Sequence, residues 1–271
     1  HHLGIWNFGH AAVMVFFVIS GYCITASTQS ALLRRSSISE MISRRIRRIF
    51  PPYVFALFFF AITRLIKNQY LNQDSWNPSL IQWIQNLSLT QWLTLFNGNY
   101  SDASQNPTLF VAAFWSLNYE EQFYLVMALL MAIATTGILN LKRSIFVLTL
   151  VAILWNIKYP TGWVSGLFIE YWLHFSLGAL LYFLLTEYTF NQALIKLTLI
   201  SGSIVFALLV SLDSDINHII DYRIISELLI IFPMVWLMFF FRPISERICK
   251  SFLWKPFSAI GTISYSLYLV H

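Results

Sequence analysis

Apolar runs of membrane-spanning length alternate with short polar breaks along almost the whole chain. A spanning helix needs about 20 apolar residues, and fewer where neighbouring helices shield it from lipid. On that scale the pattern predicts spans near 10–28, 51–67, 109–136, 144–157, 167–186, 194–212, 223–241 and 257–271, after an apolar stub at 1–6. The expected architecture is an all-α, polytopic membrane helical bundle with about nine spans, the first and last truncated. Two longer connections carry patterns of their own. In SSISEMISRRIRRIF, residues 36–50, Ser37 and Glu40 stand at capping-box spacing, and Ile38, Ile42, Ile46 and Ile49 form one helical stripe. This predicts an amphipathic helix in the membrane interface, ended by Pro51 and Pro52. The polar loop 68–107 contains LIQWIQNLSLTQWLTLF, residues 80–96, whose tryptophans suit an interfacial or re-entrant helix.

Charge then orients the bundle. Thirteen of the 17 basic residues fall on one set of alternate loops, led by Arg34, Arg35, Arg44, Arg45, Arg47 and Arg48. All five aspartates fall on the other side. Basic loops remain cytoplasmic, so 29–50 faces inward and 68–107 outward. The net charge of +5 is thereby accounted for without nucleic acid. Composition agrees: 58% hydrophobic and 11% charged residues, against roughly 25% charged in soluble domains. Cys23 and Cys249 fit neither a disulfide framework nor a thiolate metal site. The chain opens on His1 and stops at His271 in mid-pattern. It reads as one domain over 1–271, incomplete at both termini.

Within this apolar chain the stretch WSLNYEEQFYL, residues 115–125, places Glu120 beside Glu121. Asn118 and Glu121 have the spacing of a capped helix start, which would begin the helix at Tyr119 and leave Glu121 on backbone amides at the outer interface. Glu120 fits that less well. It shares a helical face with Ser116 and Tyr124, and membrane-embedded carboxylates usually face a partner or a water-filled cavity. His1 and His2 end the first apolar stub, where a histidine can be merely interfacial or a proton carrier. Ser264, Tyr268 and His271 recur at helical spacing in a second polar stripe. His10, His174 and His218 read as loop or packing residues. The arginines of SRRIRRIFPP either set topology and bind anionic lipid or clamp a phosphorylated donor. Walker, GxGxxG, HExxH, CxxC and GxSxG patterns are absent from the sequence, so nothing points to a metal or a resident cofactor.

Four stretches occur in order that resemble the acyltransferase-3 family of integral membrane acyltransferases. AAVMVFFVISGYCIT is similar to its second span and RRIRRIFPPY to its arginine-rich inner loop. WSLNYEEQFYL is similar to its "SLxxEEQFYL" span, and GTISYSLYLVH to its late "ISYxLYLxH" span. Ala12 replaces a usual glycine and Met14 a frequent acidic residue. The resemblance implies transfer of an acyl group, most often acetyl, from cytoplasmic acyl-CoA to hydroxyls of an extracytoplasmic glycan or glycolipid. Lipopolysaccharide and other cell-envelope polysaccharides are among the family's acceptors, and the bacterial inner membrane is its home. Acyl-CoA (acetyl-CoA) enters as co-substrate. Matching places His2 in the family's histidine position, with His1 where an aromatic usually sits. Glu120 falls at the acidic position, and Arg45 with Arg48 at the Arg-x-x-Arg. The implied roles are catalytic for His2 and Glu120 and donor-binding for Arg45, Arg48, Arg44 and Arg47. Ser116, Tyr124 and His271 would support the acceptor. The alternative is a proton-coupled transporter of a polar or glycan substrate, because intramembrane Glu and His also build proton relays. No inverted repeat or broken-helix pair supports it. A membrane acyltransferase of the family built on a His and Asn pair fits the arginine loop less well.

Overall fold

The computed structural model describes residues 8–71, 77–91, 110–111, 114–158, 166–213 and 229–241. Among these the chain is all-helical, as the apolar pattern predicts. The helices are α1 (Phe8–Leu33), α2 (Ile38–Leu71), α3 (Leu80–Leu87), α4 (Trp115–Thr135), α5 (Leu141–Lys158), α6 (Trp172–Glu187), α7 (Phe190–Asp213) and α8 (Leu229–Phe241). A 3₁₀ turn, Phe168–Glu170, leads into α6. Two helices, over Ala12–Leu33 and Ile38–Lys67, are long and apolar enough to cross a membrane by length and composition, and α6 and α8 are shorter apolar helices. The stub 1–6 and the span 257–271 lie outside the described residues.

Side-chain pairs give the helix directions. Phe17 packs on Trp115 and Tyr119 (ring centroids 6.1 and 6.3 Å), while Ala31 clusters with Ala128 and Met131 further along, so α1 and α4 run parallel. Phe17 meets Phe175 at 4.7 Å and Tyr22 meets Tyr182 at 5.7 Å, so α6 is parallel to both. Between α2 and α4 the order reverses. Met41 clusters with Ala128, Ile49 with Leu117, and Tyr53 lies 4.8 Å from Phe114. Helix α5 is likewise antiparallel to α6: Lys142 pairs with Glu187, and Thr149 accepts from the Trp172 indole at 3.1 Å. Helix direction therefore alternates along α1, α2, α4, α5 and α6 in step with the short links 34–37 and 136–140. Arg34, Arg35, Lys142 and Arg143 gather at one end.

The most extensive contact joins α1 to α6. It depends on two glycines. A Cβ on Gly178 would lie 1.9 Å from the Val18 carbonyl oxygen, and one on Gly21 2.1 Å from that of Phe175. Close backbone approach of this kind is how helices associate where burial of apolar surface gives no drive. The opposite faces are apolar and open: Phe55, Phe58, Phe59, Ile62, Leu65 and Ile66 on α2, and Phe146, Leu150 and Leu154 on α5, are exposed.

Two local expectations are corrected. Pro51 and Pro52 do not end a helix; α2 continues through both. The prolines remove the amides that would bond the carbonyls of Arg47 and Arg48. Ile49, Tyr53, Ala56 and Leu57 nevertheless form a single buried face on both sides of the pair, and that packing outweighs the two lost bonds. Helix α4 begins at Trp115, not Tyr119, and its N-cap position is Phe114, with no side-chain cap. Phe114 and Leu117 are buried against α2, so packing starts the helix a turn before the polar cap signal. The capping reading of Ser37 and Glu40 holds in half: the Glu40 amide donates to Ser37 Oγ at 3.2 Å. Within 80–96, helix α3 ends at Leu87. It is capped by Ser79 and fastened to α2 by the Tyr53 hydroxyl, which donates to the Asn86 carbonyl.

Candidate active site

The two adjacent glutamates meet a single guanidinium. Arg45 Nη2 lies 2.5 Å from Glu120 Oε1 and Nε lies 3.5 Å from Glu121 Oε1. Ser20 Oγ of α1 donates to the same Glu120 oxygen at 3.3 Å. Tyr124, one turn on from Glu120, lays its ring under the guanidinium, 3.7 Å from centroid to Cζ. The Arg45 side chain is 11% exposed, that of Glu120 5% and that of Glu121 24%. The charge of two carboxylates and the face of one aromatic ring together hold Arg45.

Helix geometry explains how residues so far apart converge. Ser20 stands thirteen residues before Leu33 and Glu120 fifteen before Thr135, which is about 20 Å from the basic end at 1.5 Å per residue. Arg45 is only seven residues into α2, about 10 Å from that end. Its long side chain spans much of the remainder and carries positive charge to mid-depth. Glu121 is thus an ion-pair partner at the α2–α4 contact rather than a cap.

The other arginines differ. Arg44 pairs with Glu40 at 3.5 Å on the surface, both side chains more than half exposed. Arg47 and Arg48 are exposed. Cys23 of α1 is exposed. Ser116 is buried on the face of Glu120. His2, with His1, lies outside the described residues, as does His271. His174, read as a packing residue, stands on the first turn of α6 with its ring 5.9 Å from that of Tyr171.

A second polar cluster stands at the opposite end from Arg34 and Arg35. Tyr119 donates to Glu170 Oε2 at 2.5 Å, and the Gly166 amide donates to both, at 3.1 Å each. Gln122 grips the same turn twice. Its amide nitrogen donates to the Gly166 carbonyl at 2.7 Å, and its oxygen accepts from the Phe168 amide at 2.8 Å. Gly166 has φ +87°, which this turn requires and a side chain would resist. Phe123 then stacks on Phe175 at 4.1 Å. Every residue of the EEQFY run is therefore engaged: two acids on Arg45, an amide on the turn, one ring on α6, one ring beneath the guanidinium. Ser20, Tyr119, Gln122 and Glu170 are the site residues that sequence reading passed over. A serine inside VISG and a glutamine inside an apolar run were the available signals.

A deeply buried acid against a guanidinium, in an all-helical bundle with open apolar faces, defines a protein that handles charge away from water. Comparison with known proteins makes the class specific. The family model described as "Acyltransferase domain" matches residues 1–271, and the chain belongs to this acyltransferase-3 family. It is 31% identical over 165 residues to an uncharacterised protein of Haemophilus influenzae, covering 59% of this chain and 63% of that one. It is 26% identical over 284 residues to the O-acetyltransferase OatA of Staphylococcus aureus, covering 97% of this chain and 45% of OatA. The chain thus spans about half to two thirds of these relatives. No solved structure matches it.

Proposed function

We propose that the protein is a multi-pass O-acyltransferase of the bacterial inner membrane. In this reading it carries an acetyl group from cytoplasmic acetyl-CoA to a hydroxyl of an extracytoplasmic glycan or glycolipid in the cell envelope. The observation that carries the reading is the family match over the whole chain, joined to a buried carboxylate–guanidinium pair at mid-depth. The printed name of the Staphylococcus aureus relative supports acetyl as the group and oxygen as the acceptor atom. The open apolar faces of α2 and α5 suit lipid, and the alternating helix directions suit serial spans; about nine spans remain the proposed count.

The chemistry is one substitution at a thioester. His2 acts as general base and takes the proton of the acceptor hydroxyl. The hydroxyl oxygen bonds to the acyl carbon, the carbon–sulfur bond breaks, and coenzyme A leaves as thiolate. The imidazolium returns its proton to that sulfur, which balances the step. Glu120 stabilises the charged imidazole. The exposed arginines of α2 hold the donor's phosphates at the basic end. Ser116, Tyr124 and His271 support the acceptor side.

Membranes supplied with acetyl-labelled acetyl-CoA test the reading. Label on a glycan or glycolipid, lost in the His2→Ala variant at equal expression, is the expected result. Acceptor crossing the membrane unmodified would establish a carrier instead.

A further inference from the structure

We propose that Arg45 is a positioning residue: it fixes the Glu120 carboxylate where α1, α2 and α4 meet, and the donor's phosphates fall to the exposed arginines, Arg48 first. This rests on the acyltransferase reading above and changes the division of labour within it. Arg45 is already committed. Two carboxylates stand within ion-pair distance of one guanidinium, and a tyrosine ring covers its face. A phosphate approaching it would face Glu120 and Glu121 at the same range, and like charges in a shielded site repel strongly. Pulling Arg45 away to meet a phosphate would leave the buried Glu120 carboxylate and the half-buried Glu121 beside it without their cation, and removing one partner of a buried pair is strongly disfavoured.

Arg48 has the opposite character. It is exposed and lies one helical turn further along α2 than Arg45. Arg47 is exposed beside it, and Arg44 meets Glu40 across a solvent-facing contact that costs little to give up. Along α2, then, one arginine points inward to order an acid and its neighbours stay available for an anion.

The full chain in detergent or proteoliposomes separates these roles. Coenzyme A itself is the binding probe, and transfer is read from labelled acetyl-CoA. For Arg48→Gln, the loss of one charged phosphate contact predicts about tenfold weaker coenzyme A binding and a raised KM, with kcat within about twofold. For Arg45→Gln, coenzyme A binding stays within about twofold while kcat falls about a hundredfold. Arg45→Lys restores part of that kcat, since it keeps the charge. The double variant Arg45→Gln with Glu120→Gln loses no more than the worse single one, because both act through one carboxylate. Coenzyme A binding weakened as much by Arg45→Gln as by Arg48→Gln overturns the assignment, and so do additive losses in the double variant. If Arg45→Gln does not fold, Arg45→Lys decides: binding kept with kcat lowered supports the role, binding lowered rejects it. A wild-type protein that neither binds coenzyme A nor transfers label overturns the acyltransferase reading itself, and this role with it.

Discussion

Tyr124 is the residue at which the two halves of the site can be told apart. Its ring face, not its hydroxyl, meets Arg45. Tyr124→Phe keeps that face and should leave melting temperature in detergent nearly unchanged. Tyr124→Leu removes it and should destabilise by about 0.5–2 kcal/mol, the range of a partly desolvated cation–π contact. Equal losses in both variants would assign the effect to the hydroxyl. How Glu120 is held was only partly legible in the sequence. That it is unusual follows from a charge inside an apolar run, and that Tyr124 shares its face follows from helical spacing. Arg45 as its partner did not follow, because 75 residues separate them and only the antiparallel packing of α2 on α4 brings Glu120 within reach of the Arg45 side chain. The same packing moved Glu121 from an expected cap to an ion pair.

At the level of the elements, the EEQFY segment works as a bracket. Gln122 holds the Gly166–Glu170 turn through two hydrogen bonds of 2.7 and 2.8 Å, which sets where α6 enters the bundle. Gln122→Ala removes both, and at about 1 kcal/mol net each it should cost about 2 kcal/mol. Faster amide exchange at Gly166 and Phe168, with α1 unaffected, is the signature to seek; unchanged exchange there rejects the clamp. Helix α6 depends on a second device. Gly178→Val would drive a branched side chain into the Val18 carbonyl, and overpacking in a well-filled core costs about 1–3 kcal/mol even without backbone contact. Loss of folded protein on detergent extraction is expected for Gly178→Val but not for Gly202→Val, whose position has open space. Sequence alone showed neither device. Glycine within an apolar run signals close packing without naming the partner, and Gln122 reads as one more polar residue until the turn it grips is known. Helix existence was far more legible than helix ends. Apolar period and length located α4 to α7, while α2 ran past two prolines because its buried face continued on both sides.

Across the molecule, charge at the two ends of the bundle is a statement about the membrane. Lys142 joins α5 to Glu187 of α6 at the basic end, and hydrogen bonding to that carboxylate holds its ammonium above the ordinary 10.5. A cation stabilised in the fold contributes fully below its unfolded value and loses that contribution only as pH rises through the folded one. The Lys142→Met penalty should therefore be the same at about pH 6 and about pH 9, and at most about 1 kcal/mol for so exposed a pair. A penalty that differs between those pH values would mean another group carries the linkage. Orientation gives the larger test. Helix α2 starts beside Arg34 and Arg35 and runs 34 residues, about 50 Å, which exceeds the hydrocarbon thickness of a bilayer. Read as a span, α2 holds its first residues in the interface on one side and its far end on the other. Helix α3 lies back along it, with Asn86 on Tyr53 near mid-helix, Trp83 on Phe58, and its Ser79 end towards the far side. With Cys23 and Cys249 replaced by serine, Ser39→Cys in intact cells should react only with a membrane-permeant thiol reagent. Ser79→Cys should react with an impermeant one. Labelling of both from the same side would mean that α2 lies along the membrane instead of crossing it. The mid-depth acid would then lose its separation from solvent, and with it the physical reason for joining a donor on one side to an acceptor on the other.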